Sequence, residues 1–387
     1  MVAAGRPRAR IKDAPEDFIV EELPLYEPEG TGEHLFVRFT KRELTTDDVV
    51  RALARASGVQ ARDIGVAGLK DKVGVTTQTV SLPVPRAELS MFDAKVLALA
   101  IPGVVIHEAK RHVNKLKTGH LSGNRFKIAV RGILEADVLA VTLALEKAGR
   151  EGIPNAFGSQ RFGRERNNAA QALAWLTGKG PGPRDPRQKR FLWSALQSEL
   201  FNAVLERRVA EGTWRTPLVG DVLKKTDTGG LFECVDEVVD QERAERGLVS
   251  PTGPMFGTKM REATGRPGEL EREIFDQRLG AGFDLAPTKA LGEGTRRSLC
   301  LTIDAMAVER IVKRSTEKDR AFEEQGASLW VSFVLPKGAY ATSVLATAVD
   351  FEPNQPTQPT HQSAYQPTDS SLQDLERSTE RAETELE

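Results

Sequence analysis

The 387-residue chain has only two cysteines, Cys234 and Cys300, far apart and both in apolar surroundings. That scarcity excludes a disulfide framework, and both read as reduced packing residues of a cytoplasmic protein. Five histidines are scattered, none with a Cys or His partner at ligand spacing, so no metal site is expected. No apolar run approaches the roughly 20 residues that a membrane helix needs. Met1 to Ala9 carries arginines but lacks the apolar stretch of a secretory signal. There is no Walker-type phosphate loop and no internal repeat. What is present is 40% apolar and 28% charged residues, the profile of a soluble globular protein. The length allows two domains, each with a sizeable core.

The net charge of −1 conceals an asymmetry. Residues 351–387 hold eight acids and two bases, a net of −6 that leaves +5 on the rest. That segment is also rich in Pro, Gln, Thr and Ser, which marks a disordered acidic tail. A mildly basic body is compatible with a nucleic-acid partner. From Lys110 to Arg131 the chain has Lys110, Arg111, Lys115, Lys117, Arg125, Lys127 and Arg131 against no acid. Such a stretch is either a solvated face or a surface suited to phosphates.

Several elements are legible from pattern. Phe18-Ile19-Val20 reads as a short strand. His34 to Phe39 alternates, with Leu35, Val37 and Phe39 on one face. Thr45-Thr46-Asp47-Asp48 caps a helix that ends at Gly58. Thr77 to Leu82 reads as a strand stopped by Pro83. Gly123 to Val130 reads as another strand, with Phe126, Ile128 and Val130 on one face. Helices are expected over Asp137–Ala148, closed by Gly149, over Asn167–Leu176, and from Leu192 to Ala210. Pro251 to Gly257 reads as a turn-rich connection. Strands return at Ser298–Ile303 and Ser328–Leu335, followed by a turn and a short helix.

The stretch with the most chemistry runs from Gly65 to Pro83. Asp71 lies there between Lys70 and Lys72, inside a segment of glycines, threonines and small apolar residues. Three glycines suggest a tight loop with a close backbone or ligand approach. Nearby positive charge favours the charged form of a carboxylate, and such a group in such a loop is a candidate nucleophile or general base. The plain alternative is a solvated Lys-Asp-Lys turn. Asn124 reads either as a turn residue or as an amide that meets a base edge. Phe126 reads as core, or as a ring beside a base.

Ala67-Gly68-Leu69-Lys70-Asp71-Lys72, followed by Val75-Thr76 and Gln78, resembles the central motif of the TruD family of tRNA pseudouridine synthases. Other motifs of that family follow in its order from Lys12 to Leu345. They are Lys12 with Pro15-Glu16-Asp17-Phe18, Gly32-Glu33-His34-Leu35, and Gly119 with Gly123-Asn124-Arg125-Phe126. Pro154-Asn155-Ala156-Phe157-Gly158, Ser194-Ala195-Leu196-Gln197-Ser198 with Phe201-Asn202, and Leu335 to Ser343 complete the series. Two departures are visible, Ala156 where the family has an aromatic residue and Ala346-Thr347 where it has Arg-Glu; neither falls on a catalytic position.

The resemblance implies an α+β fold, with a discontinuous catalytic domain over 1–151 and 301–350 around a mainly antiparallel sheet. An α/β TRUD domain over 152–300 would be inserted in it. It implies isomerisation of uridine 13 in the D arm of tRNA to pseudouridine. Asp71 would be the catalytic nucleophile or base, acting at the ribose or at the base ring, with Lys12 as its charged partner. Phe18 and Phe126 would line the site, Asn124 would read a base edge and Tyr340 would stack on the uracil. No cofactor or metal is implied, since the reaction has no net redox change and no hydrolysis. The partner is tRNA, with no membrane and no obligate protein partner, and the enzyme is expected to be a monomer. Two other classes compete with this one. A non-catalytic RNA-binding protein would have lost Asp71, and an aspartate-dependent hydrolase would show a second carboxylate or a metal cluster near the motif.

Overall fold

A computed structural model describes residues 5–86, 91–163, 167–312 and 326–351. The tail expected from residue 351 lies, beyond Phe351, outside the described residues. The chain divides into two compact units, one drawn from residues up to Gly149 and from Asp304 on, the other Arg150–Ile303.

The first unit is built on an eight-stranded sheet. Its strands run in the order Asp304–Arg310, Ala327–Pro336, Leu121–Ile133, Phe18–Pro24, Val75–Pro83, His34–Arg42 and Val104–His112, with Gly65–Val66 added beside Val75–Pro83. All pairings are antiparallel except that of Phe18–Pro24 with Val75–Pro83. The Thr46–Ser57 helix forms where the sequence signals it. Thr45 Oγ1 caps the Asp48 N–H, the Asp48 carboxylate returns to the Thr45 N–H, and Gly58 takes the left-handed conformation that ends the helix. Its apolar stripe, Val49 and Leu53 with Ala54, packs with Leu35, Val37, Phe39, Val80 and Leu82 of the sheet. Each fully buried aliphatic or aromatic side chain there contributes about 1.5–3 kcal/mol. Phe36, on the opposite face of its strand, is also buried, against Ala67, Leu116 and Leu121.

The expected stop at Gly149 is corrected by packing. The helix runs Val138–Glu151, and Gly149 lies inside it because a Cβ there would stand 2.5 Å from Met306 Cβ. The helix ends instead before Gly152, whose φ is +72°.

The second unit has helices Asn168–Leu176, Pro186–Ala210, Glu237–Glu245 and Gly265–Leu279. An antiparallel four-stranded sheet accompanies them, ordered Leu231–Glu233, Val222–Lys225, Val249–Met255, Thr295–Ser298. Two expectations are corrected here. The long helix begins six residues earlier than its apolar spacing suggested, at Pro186 behind the Asp185 cap. The presumed turn from Pro251 is mostly a buried strand, Val249–Met255, in which Gly253 leaves room for the Phe201 ring. Trp193 and Phe201 of the long helix are wholly buried. Among the described residues, no helix is long and apolar enough to cross a membrane.

Candidate active site

Asp71 lies in the loop between the Gly65–Val66 and Val75–Pro83 strands, and that loop is tied down on both sides of it. Gly65, in the strand that leads into it, lies against the Leu116 carbonyl, which a Cβ would approach to 2.2 Å. The Thr46 hydroxyl, at the start of the capped helix, accepts the Lys70 N–H at 3.0 Å and donates to Gln78 Oε1 at 3.0 Å. The Lys70 ammonium lies 2.5 Å from Glu22 Oε2, and the two side chains are only 7% and 3% exposed. Glu22 Oε1 also accepts the Thr79 N–H, at 3.2 Å, so this buried pair is hydrogen-bonded as well as charged. Beyond Asp71, Gly74 has φ +140°, and a Cβ there would stand 2.6 Å from the Phe18 carbonyl oxygen. Lys41 donates to the Asp71 carbonyl at 2.7 Å and to the Leu44 carbonyl at 2.7 Å. Burial pushes the Lys41 ammonium down to about 8. With its backbone held, the Asp71 side chain remains 32% exposed, open to a ligand.

Its charged partner comes from far away in sequence. Lys12 Nζ donates to Asp71 Oδ2 at 3.0 Å and stands 3.9 Å over the Phe18 ring centre. Lys12 has φ +63°, a left-handed conformation costly for a residue with a side chain. Its neighbours hold it there. Arg10 and Arg131 exchange backbone hydrogen bonds at 2.8 Å, and the Asp17 carboxylate accepts the Ala14 N–H at 3.2 Å and two bonds from Arg131.

The sheet supplies an aromatic wall. Phe18 meets Phe126 edge-on at 6.3 Å between centroids, and Phe126 meets Phe333 at 5.5 Å. Asn124 is two residues before Phe126 on the same face, opposite Glu22 on one neighbouring strand and Leu335 on the other. Its Oδ1 is buried and has no hydrogen-bond partner among the described residues. A buried acceptor left open in this way costs free energy unless a donor arrives. Thus Asp71, Lys12, Phe18 and Phe126 are joined by direct contacts, and Asn124 by its place on the strand. Tyr340 is not joined to them. It directly precedes the short Ala341–Leu345 helix, five residues past Leu335 and 41% exposed, and its ring is in no aromatic pair among the described residues.

Sequence reasoning missed Lys41, Glu22 and Thr46. For Lys41 a signal existed, because the alternation Leu35, Val37, Phe39 continues to position 41 and puts that lysine on the buried face. The basic stretch from Lys110 to Arg131 is corrected in one respect. Acids from elsewhere meet four of its seven bases. Arg111 pairs with Asp93 at 2.7 Å, Arg125 with Glu21 at 2.6 Å, Arg131 with Asp17 at 2.5 Å, and Lys110 with Glu108. Among the described residues, no group of three or more His, Cys, Asp or Glu could hold a metal ion.

A family model described as tRNA pseudouridine synthase D (TruD) matches residues 4–175 and 184–347. A curated tRNA pseudouridine synthase D of Anaeromyxobacter dehalogenans is 44% identical over 342 residues, covering 87% of this chain and 91% of that protein. Its namesake from Thermus thermophilus is 38% identical over 346 residues, covering 88% and 89%. Among solved structures, a putative tRNA pseudouridine synthase D from Methanosarcina mazei superposes with a TM-score of 0.73 at 22% identity. It covers 90% of this chain and 94% of its own, a likeness of fold.

Proposed function

Because the chain belongs to the TruD family of tRNA pseudouridine synthases, which are isomerases, we propose that it converts uridine 13 in the D arm of tRNA to pseudouridine, with Asp71 as the reacting carboxylate. The reaction breaks the bond from uracil N1 to ribose C1′, turns the base and joins C5 to C1′. The C5 proton leaves and N1 gains one, so atoms balance without redox chemistry. Asp71 acts at the ribose or at the base ring; either route needs a carboxylate that is held but reachable.

The observation that carries this reading is the Asp71–Lys12 ion pair, assembled from residues 59 apart in sequence at the edge of an aromatic wall. In the proposed complex the buried, unpartnered Asn124 Oδ1 is uncovered and accepts the N3–H of uracil, a donor that base pairing in RNA would otherwise occupy. Phe18 and Phe126 line the site, and the exposed Tyr340 ring stacks on the base. Extracting a uridine from its stack costs a few kcal/mol, offset by phosphate contacts from the Arg150–Ile303 unit, which we read as the inserted TRUD domain, and from Lys115, Lys117 and Lys127 of the basic stretch, which no acid meets among the described residues.

Tritium release from tRNA carrying 5-tritiated uridine tests the reading. Wild type should release tritium from a single site in the D arm, and Asp71→Asn should release none. Release that survives in Asp71→Asn would mean another group does the chemistry, and binding without release would leave an RNA-binding protein.

A further inference from the structure

Lys41 is among the largest side chains with no exposure to solvent. The inward positions before it on the same strand, Leu35, Val37 and Phe39, are all apolar and packed in the core. Across the sheet it faces Thr76, also wholly buried. An ammonium at such a place is costly unless it is paired and hydrogen-bonded. A methionine of similar length would fill the space without that cost. Among the described residues the ammonium forms no ion pair. It donates instead to two backbone carbonyls, those of Leu44 and Asp71.

These two carbonyls are informative. Leu44 directly precedes Thr45, the cap of the Thr46–Ser57 helix, and the Thr46 hydroxyl already holds the Lys70 N–H. One helix start thereby grips the residue before Asp71, and Lys41 links the same corner to Asp71 itself. The charged groups around the ammonium are Asp71 and Asp48, which favour it, and Lys70, which opposes it. Burial lowers the ammonium to about 8, still on the charged side of neutral pH.

We propose that Lys41 is a positioning residue for the reaction, its buried ammonium clamping the Asp71 main chain so that the carboxylate stands where the target uridine arrives. This rests on the reading of Asp71 as the reacting group. The clamp acts on the catalytic step and not on tRNA affinity, since Lys41 is sealed from solvent and cannot touch RNA.

Lys41→Met keeps the stem and removes the donors. Single-turnover tritium release and tRNA affinity are measured separately on the folded variant, beside Asp71→Asn. The expected result is a rate roughly 10–100-fold lower, the scale on which a displacement of about 1 Å costs a reacting group. The tRNA affinity should stay within about twofold of wild type, and Lys41→Arg should recover part of the rate because its guanidinium can donate to both carbonyls. A rate near wild type in Lys41→Met overturns the proposal, as does an affinity that falls in step with the rate in both variants. Should Lys41→Met not fold, carbon-13 lysine NMR on the full chain decides. The buried ammonium should titrate near 8 in the wild-type chain, and a midpoint at the ordinary 10.5, that of a solvated lysine, overturns the clamp. An active Asp71→Asn sinks the reading of Asp71, whereas an inactive one beside an unimpaired Lys41→Met sinks only the role of Lys41.

Discussion

Arg131 holds Asp17 with both prongs of its guanidinium, at 2.7 Å and 2.5 Å. The pair raises the Arg131 guanidinium further above its ordinary value, chiefly through the hydrogen bond to Asp17. Asp17 is nearly sealed from solvent, and the same carboxylate holds the Ala14 N–H. Arg131 also exchanges main-chain bonds with Arg10. The short segment between Arg10 and Asp17 is therefore stapled at both ends, and Lys12 has little choice of where to be.

Arg131→Ala should be strongly destabilising, because it leaves the Asp17 carboxylate buried without its partner. Breaking a buried pair costs about 3–5 kcal/mol, and the partial exposure of Arg131 points to the lower end. Urea unfolding of wild type and variant gives the number. Catalysis per folded molecule should fall as well, since the Lys12 segment is released; an unchanged rate would show that Lys12 does not depend on the staple.

Lys12→Met retains the stem that packs over Phe18 and deletes the charge beside Asp71. Steady-state tritium release should show kcat reduced by roughly 100-fold, the size seen when one electrostatic group is taken from a reaction centre. The KM for tRNA should change little. A variant with normal kcat would reduce the ion pair to a structural contact.

Gly74→Ala places a Cβ 2.6 Å from the Phe18 carbonyl, in a backbone conformation of φ +140° that side chains rarely adopt. Either the loop after Asp71 or the strand carrying Phe18 must shift. The strain is about 1–3 kcal/mol, visible as a lower melting temperature together with a lower kcat. An alanine variant with wild-type stability and turnover would refute the close approach.

The depressed Lys41 ammonium makes a signed prediction for stability against pH. Its folded value is about 8 against an ordinary 10.5, with burial as the leading cause. Between those two values the unfolded chain binds the proton and the folded chain does not, so stability from this group rises with pH across that window. The full rise is roughly 3 kcal/mol, at 1.36 kcal/mol for each unit of difference. The difference between wild type and Lys41→Met in urea unfolding, followed from pH 7 to 10.5, isolates it from the other titrating groups. A flat difference would mean that Lys41 keeps its ordinary affinity for the proton.

Much of this protein was legible without coordinates where the physics is local. The Thr45 cap with Asp48, the Gly58 stop, and the inward face of Leu35, Val37 and Phe39 all follow from neighbours a few residues apart. Errors came where a distant residue decided. Gly149 looked like a helix stop but makes room for Met306, and Pro251 to Gly257 looked like a turn but lies, as far as Met255, in a strand held by partners on both sides. The basic run from Lys110 to Arg131 looked unopposed because Asp17, Glu21 and Asp93 reach it only through the fold.

The candidate site divides in the same way. The residue string by itself singled out Asp71 in its glycine-rich loop, with Asn124 and Phe126 on a basic strand, and its resemblance to the TruD motifs added Lys12, Phe18 and Tyr340. The tertiary structure supplied the contacts themselves. It joined Lys12 to Asp71 across 59 residues, buried the Asn124 acceptor without a partner among the described residues, and put the Lys41 ammonium on the Asp71 main-chain carbonyl. The reason is physical: hydrogen bonds and ion pairs act over about 3 Å, and only the register of the strands brings residues so distant along the chain within that range.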